Sequence, residues 1–549
     1  MSPPETCQSE RRQMVMVRWP EMFEIWKLAT HRNCIHNELR SLRGRVLFQT
    51  PDPHLPALKL VEVQAMALAD MIPSPAMFPD FHTLISFFPS SKRRLYRREA
   101  ISLSSAFLQP KDAHISAFVK SEKLKIYAKD GDPRMIQARS PRFNLVFGLF
   151  TKAIEHSLYH LMDPLMMQKG IQLPMVAKGR NLRQRATCLR SMWDLLDTPV
   201  VISLDLSRWD AHVHVEMIKV MHQFYRRAMN HPLLEDLLQH QLHNRGRTEN
   251  KLKYQVKGSV MSGDMTTALG NCTAVIAITL ALRQMICDSA LLSECSTSET
   301  TFVGVASETK SADLQSFQHR IKQLLTIHPV ARRAIVRSGV PFLIFDDGDD
   351  HVLLCEKSIS PLMFELLPKW WTMLGHDLKV EGVVEQFHQI LFCQHKPHLS
   401  QRGWVMMPSP LKVLATATVV SSSHKNKIPT YLRTVWEARW QLHYDQPILG
   451  PLFLRLKGIY KQADLMTGVE RARTLAGVDH LMLMSLRDVQ DAQPTEITPE
   501  QRIMAWEQWG LTPDQQILLE SAKVPKVPPI CRLPRERAFK GESLEVFPG

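Results

Sequence analysis

The chain has 549 residues, with 68 Lys and Arg against 54 Asp and Glu, a formal excess of +14. That length holds several lobes and is no obstacle to an enzyme, and the positive balance suits a polyanion such as nucleic acid as well as it suits a solvated basic surface. Nine cysteines, at positions 7, 34, 188, 272, 287, 295, 355, 393 and 531, include no Cys-x-x-Cys pair, which argues against a disulfide framework and fits a reducing compartment.

The amino terminus lacks the cationic start, apolar stretch and small-residue cleavage site of a secretory signal. His31, Cys34 and His36 lie close together without a second ligand pair, so they read as surface chemistry and not as a metal site. From Asp132 to Asn144 the run DPRMIQARSPRFN interleaves Arg134, Arg139 and Arg142 with Met135, Ile136 and Phe143, and Lys129 lies just upstream. Guanidinium forks of this kind suit a triphosphate, although a salt-bridged loop has the same composition. Asp197-Thr198-Pro199 reads as a turn, after which Val200 to Leu206 is a β-branched apolar run. It is predicted as a buried strand that delivers Asp205 at its end, with Asp210 just beyond.

Met261 to Asn271, MSGDMTTALGN, is a glycine-hinged segment bearing Ser262, Gly263, Thr267 and Asn271. It leads into a proline-free apolar stretch, Thr266 to Met285, predicted as a buried helix with Thr267 and Asn271 on one face. The most apolar part, Ala274 to Leu282, is about half of what a bilayer crossing needs, so no transmembrane segment is expected. Ser293 to Thr301 reads as a polar loop, and Leu314, Phe317, Ile321, Leu324 and Leu325 recur at the spacing of an inserted amphipathic helix. Val340 to Phe345 and His351 to Leu354 flank acids around one glycine, the pattern of a β-hairpin with Asp349 and Asp350 at its tip. Ser360-Pro361 predicts a helix start and Gly375 its stop, with Pro368 expected to kink the helix between them before a strand runs through Lys379. Lys523 to Arg537, proline-rich and basic, reads as an extended or disordered tail.

The acids carry the chemistry. Two hard divalent cations stabilise both ends of an in-line phosphoryl displacement, and such cations require oxygen ligands. Asp205 and Asp349 are predicted as the bridging pair and Asp350 as a weaker or outer ligand, because crowded carboxylates repel unless cations sit between them. On its own, Asp-Asp-Gly-Asp-Asp is the composition of a solvated turn. The order of the three clusters, each beside an apolar element, is what points to a metal-dependent site.

These motifs, from about Phe118 to Lys412 and with MLGHDLKVEGVV and FCQHKP following the hairpin, resemble those of the RNA-dependent RNA polymerases of positive-strand RNA viruses, tombusviruses and their relatives most closely. The resemblance implies an α+β fold, a right-hand polymerase with fingers, an antiparallel-sheet palm and a mainly helical thumb. Residues 1–110 would form an N-terminal extension and fingertips, and 111–198 fingers with the basic nucleotide-entry motif. Residues 199–397 would form the palm, with a fingers insertion at about 214–258 and an inserted loop-helix at about 289–338. Residues 398–522 would form the thumb and 523–549 a basic tail.

The implied activity is replication of a viral RNA genome from ribonucleoside triphosphates, with two Mg²⁺ ions or Mn²⁺ in their place. In the implied division of roles Asp205, Asp349 and Asp350 hold metal, and Lys379 donates a proton to departing pyrophosphate. Lys129, Arg134, Arg139 and Arg142 line the nucleotide entry. Asp210 pairs with Asn271 to read the ribose 2′-hydroxyl, supported by Ser262 and Thr267, while Gly263 lets its loop flex or approach the template backbone. Phe392, Cys393 and Gln394 grip the primer strand, and Lys178, Gly179 and Arg180 contact template or nucleotide. The implied partners are RNA template and product, nucleotides and a viral replication accessory protein, in host cytoplasm at membrane-associated sites.

Two alternatives stand beside this reading: a reverse transcriptase, disfavoured by the Asp210 and Asn271 pair, and a catalytically silent RNA-binding subunit, disfavoured by the intact acids. The sequence also departs from the family in two ways. The stretch between hinge helix and hairpin is long, and Asp346 and Asp347 replace neutral residues, adding charge that either tunes ion affinity or sits exposed on the hairpin.

Overall fold

The computed structural model describes residues 14–17, 28–73, 77–122, 124–125, 131–292, 311–421, 424, 426–489, 492–522, 530–532 and 535–536. Lys129, the polar loop at 293–301 and most of the carboxyl-terminal tail lie outside the described residues. Helices and antiparallel sheets combine in an α+β fold.

A four-stranded antiparallel sheet is central. Its strands are β1 (Pro199–Leu206), β2 (Leu343–Asp346), β3 (Asp350–Glu356) and β4 (Leu378–Val384), in the order β4-β1-β3-β2. Successive strand residues point to opposite faces, and β1 buries both. Val200, Ile202, Leu204 and Leu206 enter the main core. Val201 enters a second core with Val352 and Leu354 of β3. Asp205 has the parity of Val201 and Asp350 that of Val352, so both carboxylates end up on the same face.

The main core contains two helices, α2 (Thr267–Leu292) and α3 (Ser360–Met373), joined where the Trp370 indole donates to the Ile278 carbonyl at 2.9 Å. The other face is covered by α1 (Leu182–Trp193) and by the hairpin of His395–Ser400 with Gly403–Pro408. α2 extends past the expected Met285, because Arg283 does not end the apolar stretch. Its guanidinium is buried in a two-pronged pair with Asp163 at 2.5 and 3.0 Å. Thr267–Leu291 is long and apolar enough to cross a membrane, a longer stretch than Ala274 to Leu282, and 83% of its most apolar window is buried within the protein. α3 starts at Ser360, one position earlier than expected, and runs through Pro368.

The insertion holds two helices where one was expected. In Ala312–Ile327 the predicted stripe of Leu314, Phe317, Ile321, Leu324 and Leu325 is buried. Pro329–Ser338 buries only Ala331 and Ile335, too thin a stripe for periodicity to reveal. Near the site, a second sheet aligns Met135–Ala138, Ile115–Val119, His243–Thr248 and Lys253–Lys257. The carboxyl-terminal helices, among them Ile428–His443 and Leu449–Ile459, surround their own core of Leu432, Trp436 and Phe453. In the tail, Ile530–Arg532 pairs with Met14–Val17 and Arg535–Glu536 with Leu28–His31. Backbone pairing thus gives this part of the expected loose tail two short strands.

Candidate active site

The sheet register sets the geometry. Asp350 lies directly opposite Asp205 on one side, and Lys379 lies opposite Asp205 on the other. Directly opposed residues have Cβ atoms about 4.5–5.5 Å apart, so Asp350, Asp205 and Lys379 form a row across one face. Like charges so opposed destabilise a sheet. Burial, reinforced by Asp349, Asp347 and Asp205, accordingly pushes the Asp350 carboxyl up to about 6. Asp349 lies in the tight turn, after Gly348 at φ 93°. A side chain at Gly348 would place its Cβ 3.4 Å from that of Asn271, in a conformation strained for any residue but glycine.

Asp205, Asp210, Asp349 and Ser262 line one cleft of about 300 Å³, together with Arg45, Arg134 and Arg208. Asp210 accepts a 2.5 Å hydrogen bond from the Ser262 hydroxyl. Burial pushes its carboxyl above the usual range, while hydrogen bonds from Ser262 and Asn271 act in the opposite direction. The Asn271 Oδ1 is buried with no hydrogen-bond partner. Thr267 Oγ1 donates instead to the carbonyls of Met261 at 2.8 Å and Asp264 at 3.0 Å, fastening the start of α2. A Cβ at Gly263 would come within 2.7 Å of the Gln137 carbonyl oxygen and 2.8 Å of the Ala138 Cβ, so this glycine allows close packing on the protein's own strand.

The predicted arginines separate. Arg134 is half exposed in the cleft, with a long 3.4 Å pair to Glu122. Arg139 is buried, paired with Asp264 at 2.8 Å and donating to Ala113 O at 2.6 Å, His240 O at 3.0 Å and Asn244 Oδ1 at 2.6 Å. Arg142 is fastened to Asp112, Ser102 and the carbonyls of Ala106 and Phe107. Nucleotide entry was expected of both, but buried acceptors occupy the first and the second is absent from the cleft lining. Arg45 and Arg208, missed in the sequence, replace them there. Both bind Asp132, Arg45 through the carbonyl at 2.8 Å and Arg208 through the carboxylate at 3.1 Å. Burial and then the charges of Arg134 and Arg208 pull the Arg45 pKa down, a crowding of cations that a bound anion would relieve. Arg208 could have been noticed within the Asp-x-x-x-x-Asp stretch; Arg45 had no signal.

Neither extra acid sits exposed on the hairpin. Asp346 is fully buried and its carboxyl is pushed well above the usual range by that burial, with its Oδ2 accepting from Gly348 N at 3.1 Å. Burial also opposes ionisation of Asp347, but Lys178 and Arg185, each 2.6 Å away, outweigh it and hold its carboxyl below the usual range. Lys178 and Arg180, expected to contact template or nucleotide, have partners within the protein. Lys178 is engaged by Asp347, and Arg180 donates to the carbonyls of Tyr159 at 2.9 Å and Val176 at 2.6 Å. Lys379 is exposed on β4. Among the described residues no three His, Cys, Asp or Glu side chains are drawn together closely enough to hold a metal ion as they stand.

Comparison with known proteins identifies the family. The profile of the family described as viral RNA dependent RNA polymerase matches residues 4–293 and 324–526, well beyond the stretch where the resemblance was visible by motif. The chain is 26% identical over 526 residues to the RNA-directed RNA polymerase of Cymbidium ringspot virus, covering 90% of this chain and 54% of that protein. It is 27% identical over 441 residues to that of Tobacco necrosis virus (strain A), covering 79% and 52%. With the polymerase of Melon necrotic spot virus it shares 30% identity over 347 residues, 62% of this chain and 36% of the relative. The chain spans about half the length of the curated relatives first matched. It belongs to the viral RNA-dependent RNA polymerase family.

Proposed function

We propose that this chain copies RNA, joining ribonucleoside triphosphates to an RNA 3′ end at the row formed by Asp350, Asp205 and Lys379. That row is the observation on which the reading rests, because three charged groups are aligned by sheet register and the middle one, Asp205, lines the cleft that also holds Asp349 and Asp210. The β1–β4 sheet would be the palm, the elements around the Asp132 run the fingers, and the carboxyl-terminal helices the thumb of a right hand. Replication at membrane-associated sites in host cytoplasm, with a viral accessory protein, belongs to the same proposal.

The donor set fits a hard cation in kind: Asp205, Asp349 and Asp350 offer only oxygen, and burial, reinforced by the neighbouring carboxylates, raises the Asp350 pKa to about 6. Mg²⁺, with Mn²⁺ as a substitute, would be held by Asp205 and Asp349 with Asp350 in support, and supplies charge stabilisation at the attacking and leaving oxygens. Arg134, Arg45 and Arg208 grip the triphosphate. Asp210, held by Ser262, and the unpartnered Asn271 Oδ1 receive the ribose hydroxyls. A deoxynucleotide would leave that acceptor unpaired, which disfavours the reverse-transcriptase reading. Lys379 presents its ammonium group to the departing pyrophosphate as proton donor.

Purified protein given primed RNA, ribonucleotides and Mg²⁺ is expected to extend the primer, and Asp349→Ala to abolish extension. RNA binding without incorporation by the unaltered protein would favour a silent RNA-binding subunit instead.

A further inference from the structure

Phe392 and His395 exchange both backbone hydrogen bonds at 3.0 Å, closing a two-residue hairpin turn over Cys393 and Gln394. Both central residues are left-handed, at φ 49° and 62°. Such a turn favours Asn-Gly, because side chains with a crowded Cβ are strained there. Cys-Gln is a poor choice for it, so the turn must be held from outside.

The restraints are visible. The Cys393 thiol donates to Asp347 Oδ2 at 3.2 Å and accepts from Arg185 Nη1 at 3.3 Å. Arg185 also pairs with the same Asp347 oxygen at 2.6 Å, while Lys178 takes Asp347 Oδ1 at 2.6 Å and its carbonyl at 2.8 Å. On the opposite side Lys412 Nζ donates to Gln394 Oε1. The turn lines a cleft of about 640 Å³ shared with Glu122, Asp479, Lys412 and Arg439, where Arg439 is buried beside Asp479 at 3.6 Å and the exposed Lys412 offers a cation to a nucleic-acid backbone. Asp347 lies two positions before Asp349 on the same hairpin. One carboxylate therefore connects the acids that would hold metal to a strained turn facing that cleft.

We infer that Asp347 is a positioning residue that fixes the Cys393–Gln394 turn relative to Asp349, so that an RNA 3′ end resting on the turn is presented to the catalytic carboxylates. This deepens the polymerase reading and rests on it. No other carboxylate contact to the Cys393 thiol is found among the described residues.

The test is primer extension with separate titration of primed RNA and of nucleotide. Asp347→Asn is expected to raise KM for primed RNA about tenfold, the scale of a displaced reacting group, with nucleotide KM within about twofold. In the Cys393→Asn/Gln394→Gly background, whose turn needs no external restraint, the same substitution is expected to change RNA KM by less than about twofold. Loss of the ion pairs lowers the melting temperature in both backgrounds, so a purely structural role would give equal kinetic losses in both. Cys393→Ala, which leaves the ion pairs in place, is expected to raise RNA KM about threefold. An RNA KM unmoved by Asp347→Asn or Cys393→Ala, or moved equally in the two backgrounds, overturns the inference alone. Unaltered protein that extends no primer overturns it together with the polymerase reading.

Discussion

Arg139 offers the sharpest separation between a structural and a nucleotide-binding arginine. Its side chain is 1% exposed and that of Asp264 3%, at 2.8 Å from each other. Arg139→Met would leave the Asp264 carboxylate buried without its counter-charge, a change that costs about 3–5 kcal/mol. The carbonyls of Ala113 and His240 and the Asn244 amide would lose their donor as well, adding on the order of 1 kcal/mol or more. For a cooperative unit of about 150–250 residues each kcal/mol shifts Tm by about 2–4 °C, so the melt should fall by roughly 10–20 °C. Arg139→Met/Asp264→Leu should recover much of that loss, since no buried charge remains. Arg134→Ala, whose pair to Glu122 is long and whose side chain is 52% exposed, should leave stability within about 0.5 kcal/mol while raising nucleotide KM about tenfold. Thermal melts and steady-state kinetics on the three variants decide the matter. An Arg139→Met protein that melts like the unaltered chain but has a raised nucleotide KM would refute the structural assignment.

Other outcomes follow from the same geometry. Asn271→Ala is expected to narrow the preference for ribo- over deoxyribonucleotide by about 10- to 100-fold in kcat/KM, measured by competing the two substrates; an unchanged ratio would remove Asn271 from ribose reading. His376 is buried, stacked on Trp209 at 4.6 Å with both ring nitrogens unpartnered, and burial lowers its pKa to about 3. Below an unfolded value of about 6.5 the unfolded chain takes up that proton and the folded chain does not, so stability falls as pH drops, by about 2 kcal/mol at pH 5. His376→Phe should match the unaltered protein near pH 7.5 and exceed it by that amount at pH 5 in urea denaturation, and equal acid sensitivity would contradict this. Asp350, raised to about 6, must lose its proton to support a cation, so half-saturating Mg²⁺ should fall as pH rises through that value and the dependence should flatten in Asp350→Asn.

Much of the central sheet was readable because β1 and the hairpin combine apolar β-branched runs with turn residues, and the period of two then fixes which side of the sheet each acid faces. The Asp205–Asp350 register follows from tertiary pairing across 144 intervening residues and could only be anticipated from motif order. Local composition misled where partners are distant in sequence. Arg139 and Arg134 look alike in DPRMIQARSPRFN, yet Asp264 claims one and leaves the other in the cleft. Asp346 and Asp347 look like a solvated acidic turn, yet burial and two distant cations neutralise them. Arg45 comes from an unremarkable helical stretch and enters the site only because Asp132 draws it in.

The central claim is that Asp205 and Asp349 share a divalent cation. A crystal soaked with Mn²⁺ and a nucleotide, measured by anomalous diffraction, tests it most directly. The account predicts a peak within coordination distance of both carboxylates, weakened in Asp349→Asn; a peak elsewhere, with those two carboxylates uncoordinated while the crystal-grade protein extends RNA, would contradict it.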